Sequence, residues 1–421
     1  MRSKEQISLQ NPSGRKSVAM KKETLLRQAD LSLHVILLLM GSMTMTMVGI
    51  FLFPVAAGKL PYYEKGLYGL ILFIVALQMV TLGETPFGNM GKSKPLLAAG
   101  AVLASLGIVT CFIPELFGEI PRWALFLCFT PGGFFLLAQM LFSRSKLRSW
   151  MEYGGIFRHL IYGCGGVYVL SIFVGVLLWN PQFLTTPQTG LTALLFGGAL
   201  FYLAGTLHQI YRSYPETRKM HEVKGALDPD QAVLLLTGLF MILLGMLLIP
   251  VSFGMLPFSG SAQLGLLMVI FAIQMLAFGN TPLGAFPRSW LMVFFGFLFG
   301  ALGIASCILP EILVVPLTML VGGLNILGGA ITLIKLWAPL LGARKTVKSP
   351  LPKILLRLYA TQTGMNLLSI LFGTSMFLSR LLPGYLIGII LAANGGALLY
   401  LLHIVLLLEN MKSSGEKSSS P

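Results

Sequence analysis

Charge is what this chain has least of. Asp, Glu, Lys and Arg make up only 11% of its 421 residues, while 55% are hydrophobic. So little polarity cannot cover the surface of a globule in water, and the soluble classes are excluded. Cysteine is also scarce. The four (Cys111, Cys128, Cys164, Cys307) fall in or near apolar runs without the spacing of a zinc or redox site. No P-loop, no Gly-x-Gly-x-x-Gly after a strand and no nucleophile beside a base is present, so the expectation is a non-enzymatic protein without cofactor or metal. The five histidines suit interfacial positions, and His208 and His403 stand at non-equivalent points of equivalent helices, which argues against a bis-histidine haem. No cleavable signal is expected here, because the apolar run after the basic first thirty residues is long enough to span a bilayer.

What the chain has instead is apolar length. Twelve runs, six between residues 31 and 211 and six between 231 and 408, each approach the roughly 20 residues that cross a bilayer. Each must be a helix, since lipid offers no partner to an unpaired amide. The predicted fold is therefore all-α, a polytopic membrane bundle of about 12 transmembrane helices. None of the twelve carries Asp, Glu, Lys or Arg near its centre, which weighs against a proton pump or an ion-coupled symporter.

The remaining charge is placed with a strong bias. With the amino terminus inside, all but four of the 30 Lys and Arg lie on the cytoplasmic face. The exceptions are Lys59, Lys65, Arg122 and Arg380, and Glu64, Glu115, Glu119 and Glu311 balance them. The whole net charge of +15 is then cytoplasmic, which points to an integral protein of a bacterial inner membrane with both termini inside. The basic loops suit anionic lipid headgroups rather than nucleic acid. All five tryptophans (Trp123, Trp150, Trp179, Trp290, Trp337) fall at or just beyond the ends of runs, as interfacial belts require.

The chain is also duplicated. Residues 49–115 align without a gap on 245–311, and more than a third of the positions are identical; later the offset grows by two, where "GGALFY" at Gly197 faces "GGALLY" at Gly395. This organisation predicts a basic cytoplasmic arm over 1–30 and a six-helix repeat over 31–211. A cytoplasmic linker over 212–230, a second repeat over 231–408 and a Ser-rich cytoplasmic tail over 409–421 complete it. Six is even, so the repeats are parallel and related by a two-fold axis along the membrane normal. Within each repeat, a helix that ends outside at a proline and a returning Gly-rich helix suggest three consecutive hairpins.

The longest shared motif is Gln-Met-x-x-x-Gly-x-Thr-Pro-x-Gly. Gln78 and Gln274 lie inside the membrane, and each must either bond a neighbouring helix or face the other across the axis and line a polar cavity. Gly83, Thr85, Pro86 and Gly88, with Gly279, Thr281, Pro282 and Gly284, read as a left-handed C-cap followed by an inner turn. Pro114–Glu115 and Pro310–Glu311 form matched outer turns, where a carboxylate suits the amino terminus of the next helix. Cys111 and Cys307 match as well, as packing residues or as a pair across the axis.

Two families are similar. "GIFLFPVAAG" at Gly49, "GIVTCFIPELFG" at Gly107 and "GALGIASCILPEIL" at Gly300 resemble the HdeD-type acid-resistance membrane proteins, here apparently duplicated. That resemblance implies a non-enzymatic role in envelope or acid stress. The twelve helices in two parallel halves are also similar to the major facilitator superfamily, although "GNMGKSK" at Gly88 lacks that family's acidic residue. That likeness implies a secondary transporter of a small, uncharged or apolar solute, with its cavity between the halves. A subunit of a larger membrane complex is the third reading.

Overall fold

A computed structural model describes residues 28–142, 155–216, 227–281, 283–343, 353–378 and 382–418. Twelve long helices run through these residues. The first six are α1 (Leu33–Ala56), α2 (Glu64–Leu82), α3 (Lys94–Phe112), α4 (Ile120–Phe142), α5 (Ile156–Trp179) and α6 (Thr186–Ser213). The second six are α7 (Pro229–Ser252), α8 (Gly260–Phe278), α9 (Trp290–Ile308), α10 (Val314–Ala343), α11 (Lys353–Phe377) and α12 (Gly384–Ser418). Eleven are long and apolar enough to cross a membrane. The exception is α11, whose inner half carries Lys353, Arg357, Thr361, Gln362, Thr363 and Asn366. The protein is an all-α, multi-pass integral membrane protein.

Local sequence sets the helix starts. Ser32, Ser93, Ser259 and Ser289 each accept a hydrogen bond from an amide three residues on, and Thr185–Gln188 and Asp228–Gln231 form capping boxes. Three segments differ from their reading in sequence. α7 takes Pro229 as its first residue and α6 runs to Ser213, so the linker is shorter at both ends. α12 continues into the Ser-rich tail because no proline interrupts residues 384–420. Pro54 and Pro250 lie within the last turns of α1 and α7 rather than ending them. The rest of the basic arm, Pro282, Trp150 and Arg380 lie outside the described residues.

The duplication is exact to the residue in its first half. The boundaries of α7, α8 and α9 each stand 196 positions after those of α1, α2 and α3. Each repeat also carries a two-residue antiparallel hairpin. β1 (Glu84–Thr85) pairs with β2 (Gly88–Asn89), and β3 (Asn280–Thr281) with β4 (Gly284–Ala285).

Helix pairing departs from three consecutive hairpins. The tight pairs are α2 with α3, α4 with α5, and α1 with α6; the second repeat pairs α8 with α9, α10 with α11, and α7 with α12. Glycine decides this. A Cβ on Gly107 would stand 2.7 Å from the Gly69 carbonyl oxygen, and one on Gly303 would stand 2.6 Å from that of Gly265. Gly49 and Gly190, and Gly245 and Gly388, are equally close. Such small-residue seams let backbones touch where lipid supplies no hydrophobic drive. The periodicity of small residues is visible in sequence, but which two seams meet is not.

The repeats join through a dry core around α2, α3, α8 and α9. Residues on α2 and α8 such as Leu70, Phe73, Ala76, Leu266, Val269 and Ala272 are at most 1% exposed. Phe112 meets Phe240 edge-to-face at 5.7 Å. Reciprocal hydrogen bonds mark the two-fold axis. The Tyr63 amide donates to the Ile308 carbonyl at 2.8 Å, and the Ser259 amide to the Phe112 carbonyl at 3.0 Å. The unbonded Cys111 and Cys307 thiols meet at the same place.

Candidate functional site

The end at which α1 begins and α12 finishes is the inner end of the bundle, and the opposite one the outer end. In the first repeat α1, α2, α4, α5 and α6 form a ring, while α3 stands outside it against the second repeat. Three cavities are stacked within the ring, of about 450, 110 and 360 Å³ from the inner to the outer end. Their order follows α1 itself. The inner cavity touches His34 and Leu38, the middle one Leu37 to Met45, and the outer one Met45 to Val55. Phe129 borders all three and Phe196 the inner two; their rings meet edge-to-face at 6.0 Å. This aromatic pair is the waist of the chamber.

The repeated motif forms the chamber's floor. Gly83 ends α2 in the left-handed region (φ 73°), and its amide donates to the Met79 carbonyl. The chain then turns back as β1–β2. The Thr85 hydroxyl donates to the Gly88 carbonyl at 2.8 Å and accepts from the Phe87 amide at 3.2 Å. Glu84, Thr85, Pro86, Gly88 and Asn89 face the inner cavity. The Pro86 carbonyl lies so close to Gly132 of α4 that a Cβ there would stand 2.8 Å from it. Thr281 repeats the same two hydrogen bonds in the second repeat, and Gly279 and Gly284 repeat the backbone (φ 72° and 123°).

The structure does not bring the two glutamines together. Gln78 borders the inner and middle cavities, whereas Gln274 donates its Nε2–H to the Thr237 hydroxyl at 3.1 Å. The position equivalent to Thr237 is Gly41, which carries no hydroxyl and no side chain. The middle cavity opens there. The outer-turn carboxylates do not cap helices either. Glu115 and Glu311 are exposed, and backbone carbonyls make those turns instead, with Glu311 in the left-handed region at φ 68°.

Both mouths are polar. At the inner mouth His34 Nε2 lies 3.4 Å from Glu84 Oε2, and Tyr211 reaches the other ring nitrogen at 3.3 Å. At the outer mouth the Tyr68 hydroxyl donates to Glu64. Beside that mouth a latch ties three helices together. Arg122 donates to the Leu178 and Trp179 carbonyls at the end of α5 and to Glu119, while Lys65 donates to Gly118 and Glu119. These bonds, from Arg122 first and then Lys65, hold the exposed Glu119 carboxyl below the usual range. No Lys or Arg borders any of the three cavities.

The chamber residues that sequence reading passed over are those at which the repeats differ. Phe129 and Phe196 correspond to Asn325 and Asn394, Glu64 to Gly260, Tyr68 to Leu264, and Glu84 to Asn280. Shared contacts fix that correspondence. The Ser171 hydroxyl donates to the Phe129 carbonyl as Ser369 does to Asn325, and Gly133 meets Tyr168 as Gly329 meets Asn366. Aligning the repeats and reading their mismatches was the available signal. Compared with protein-family models, curated proteins and solved structures, the chain finds no match in any of the three.

Proposed function

We propose that this protein binds a small amphipathic solute within its first repeat and carries it across the membrane without chemical change. One observation carries the reading: three cavities are stacked from the inner to the outer mouth inside a ring of five helices, with Phe129 bordering all three and its partner Phe196 the inner two. Transport then requires the waist to part while one mouth closes. The hairpin floor and Pro131, which removes a backbone hydrogen bond in α4, are where that movement costs least. The first repeat is the working unit on this reading, and the second is a scaffold packed against α2 and α3.

The arrangement differs from a major-facilitator carrier, whose site lies between the halves. Here the surface between the repeats is packed. A void of about 10 Å³ among Phe73, Leu77, Val233 and Ile270 is too small for more than one water. The envelope-stress role implied by the HdeD-type resemblance describes a setting in which such a carrier could act.

The test is the accessibility of the two glutamine positions. In protein lacking Cys128 and Cys164 and held in nanodiscs, Gln78→Cys should react with a hydrophilic maleimide at least about tenfold faster than Gln274→Cys. Cys111 and Cys307, both fully buried, supply a silent background. Equal rates, or an unreactive Gln78→Cys, would remove the chamber from the mechanism.

A further inference from the structure

We infer that the solute is a monovalent organic cation with apolar substituents, an inference that rests on the chamber reading. The chain as a whole carries +15, yet the three cavities are bordered by two carboxylates, Glu84 and Glu64, and by no Lys or Arg. One acid stands at each mouth. At the outer end Lys65 and Arg122 are held by Glu119 and by carbonyls of the 118 and 178–179 backbone.

The fold does not require either acid. The second repeat builds the same hairpin with Asn280 in place of Glu84, and the same first turn of helix with Gly260 in place of Glu64. The waist changes in the same sense. Phe129 and Phe196 place aromatic rings on the cavities where the second repeat has asparagines, and the face of such a ring attracts a cation that has shed water. Apolar walls strengthen the field of each carboxylate along the path, because they screen it less than water does. An anion entering this chamber meets two like charges and no Lys or Arg, and the bordering imidazole, His34, is already engaged by Glu84. A neutral solute can gain a hydrogen bond from either acid but not the charge attraction. A cation reaching Glu84 takes the position that His34 holds at 3.4 Å. The inner cavity, at about 450 Å³, is of the size that holds a compact drug-sized molecule.

Tetraphenylphosphonium and tetraphenylborate share one shape and differ in charge, so they separate the two levels of the argument. Equilibrium binding to the full-length protein in nanodiscs, corrected with empty nanodiscs, should show saturable phosphonium binding at least about tenfold tighter than borate. Glu84→Asn, which installs the residue that the second repeat carries at this position, and Glu64→Gln should each weaken phosphonium binding about tenfold at unchanged size-exclusion profile. If one variant fails to fold, the other and the phosphonium-to-borate ratio still decide. Equal binding of both ions, tighter borate binding, or phosphonium binding indifferent to both substitutions overturns the cation and leaves the chamber standing. Saturable binding of neither ion overturns both.

Discussion

Gln78 and Gln274 are the same residue at the same position of two repeats, and one missing side chain separates their fates. Thr237 gives Gln274 a partner, whereas Gly41 leaves a space in which a Cβ meets nothing nearer than Leu200 at 3.9 Å. A hydrogen bond between membrane helices contributes about 0.6 kcal/mol, and at most about 2. Gly41→Thr should therefore raise the thermal midpoint in detergent and reduce solute affinity, since it fills the middle cavity and engages Gln78. The reciprocal Thr237→Gly should lower stability by about 1–2 kcal/mol through the lost bond and the added glycine. Destabilisation by Gly41→Thr, measured by scanning calorimetry, would show that the cavity is not open space.

At the scale of elements, glycines decide which helices touch. Gly107 and Gly198 are both membrane glycines, and only their surroundings tell them apart. A Cβ at Gly107 would strike the Gly69 carbonyl at 2.7 Å, whereas one at Gly198 meets nothing within 4 Å. Gly107→Leu should force α2 and α3 apart and cost more than about 2 kcal/mol, while Gly198→Leu should stay within about 0.5 kcal/mol. Comparable thermal midpoints for the two variants would contradict the seam. The hairpins expected from sequence reversed their pairing for this reason. Pro114 and Pro310 do turn the chain, as Ile113 and Leu309 take extended conformations just before them. A turn makes two helices neighbours in sequence; the glycine seams make others neighbours in space.

At the scale of the whole molecule, the two repeats behave as an internal dimer. They share one apolar core, and their reciprocal backbone bonds cross the axis at Tyr63–Ile308 and Ser259–Phe112. The segment entering α1 also crosses over, with Ala29 donating to the Arg288 carbonyl and Arg288 to that of Leu31. Residues 1–220 and 221–421 expressed as separate chains should therefore copurify as a stoichiometric pair. A tag on either chain that recovers no partner would show that the covalent connection, rather than the interface, holds the repeats together.

The membrane fold, the parallel duplication, the helix starts and the Gly83 and Gly279 caps are all legible in the order of residues. Each is written in local terms: hydropathy over a span, Ser, Thr or Asp before it, glycine where φ is positive. The place of the chamber is not written locally. A cavity is what remains when five helices are arranged around one another, and it depends on Gly41, Phe129 and Phe196 converging from three helices far apart in the chain. Similarity between the repeats marks what both need in order to fold. The chamber is built from their differences, since Gly41, Phe129 and Phe196 border it where the second repeat carries Thr237, Asn325 and Asn394.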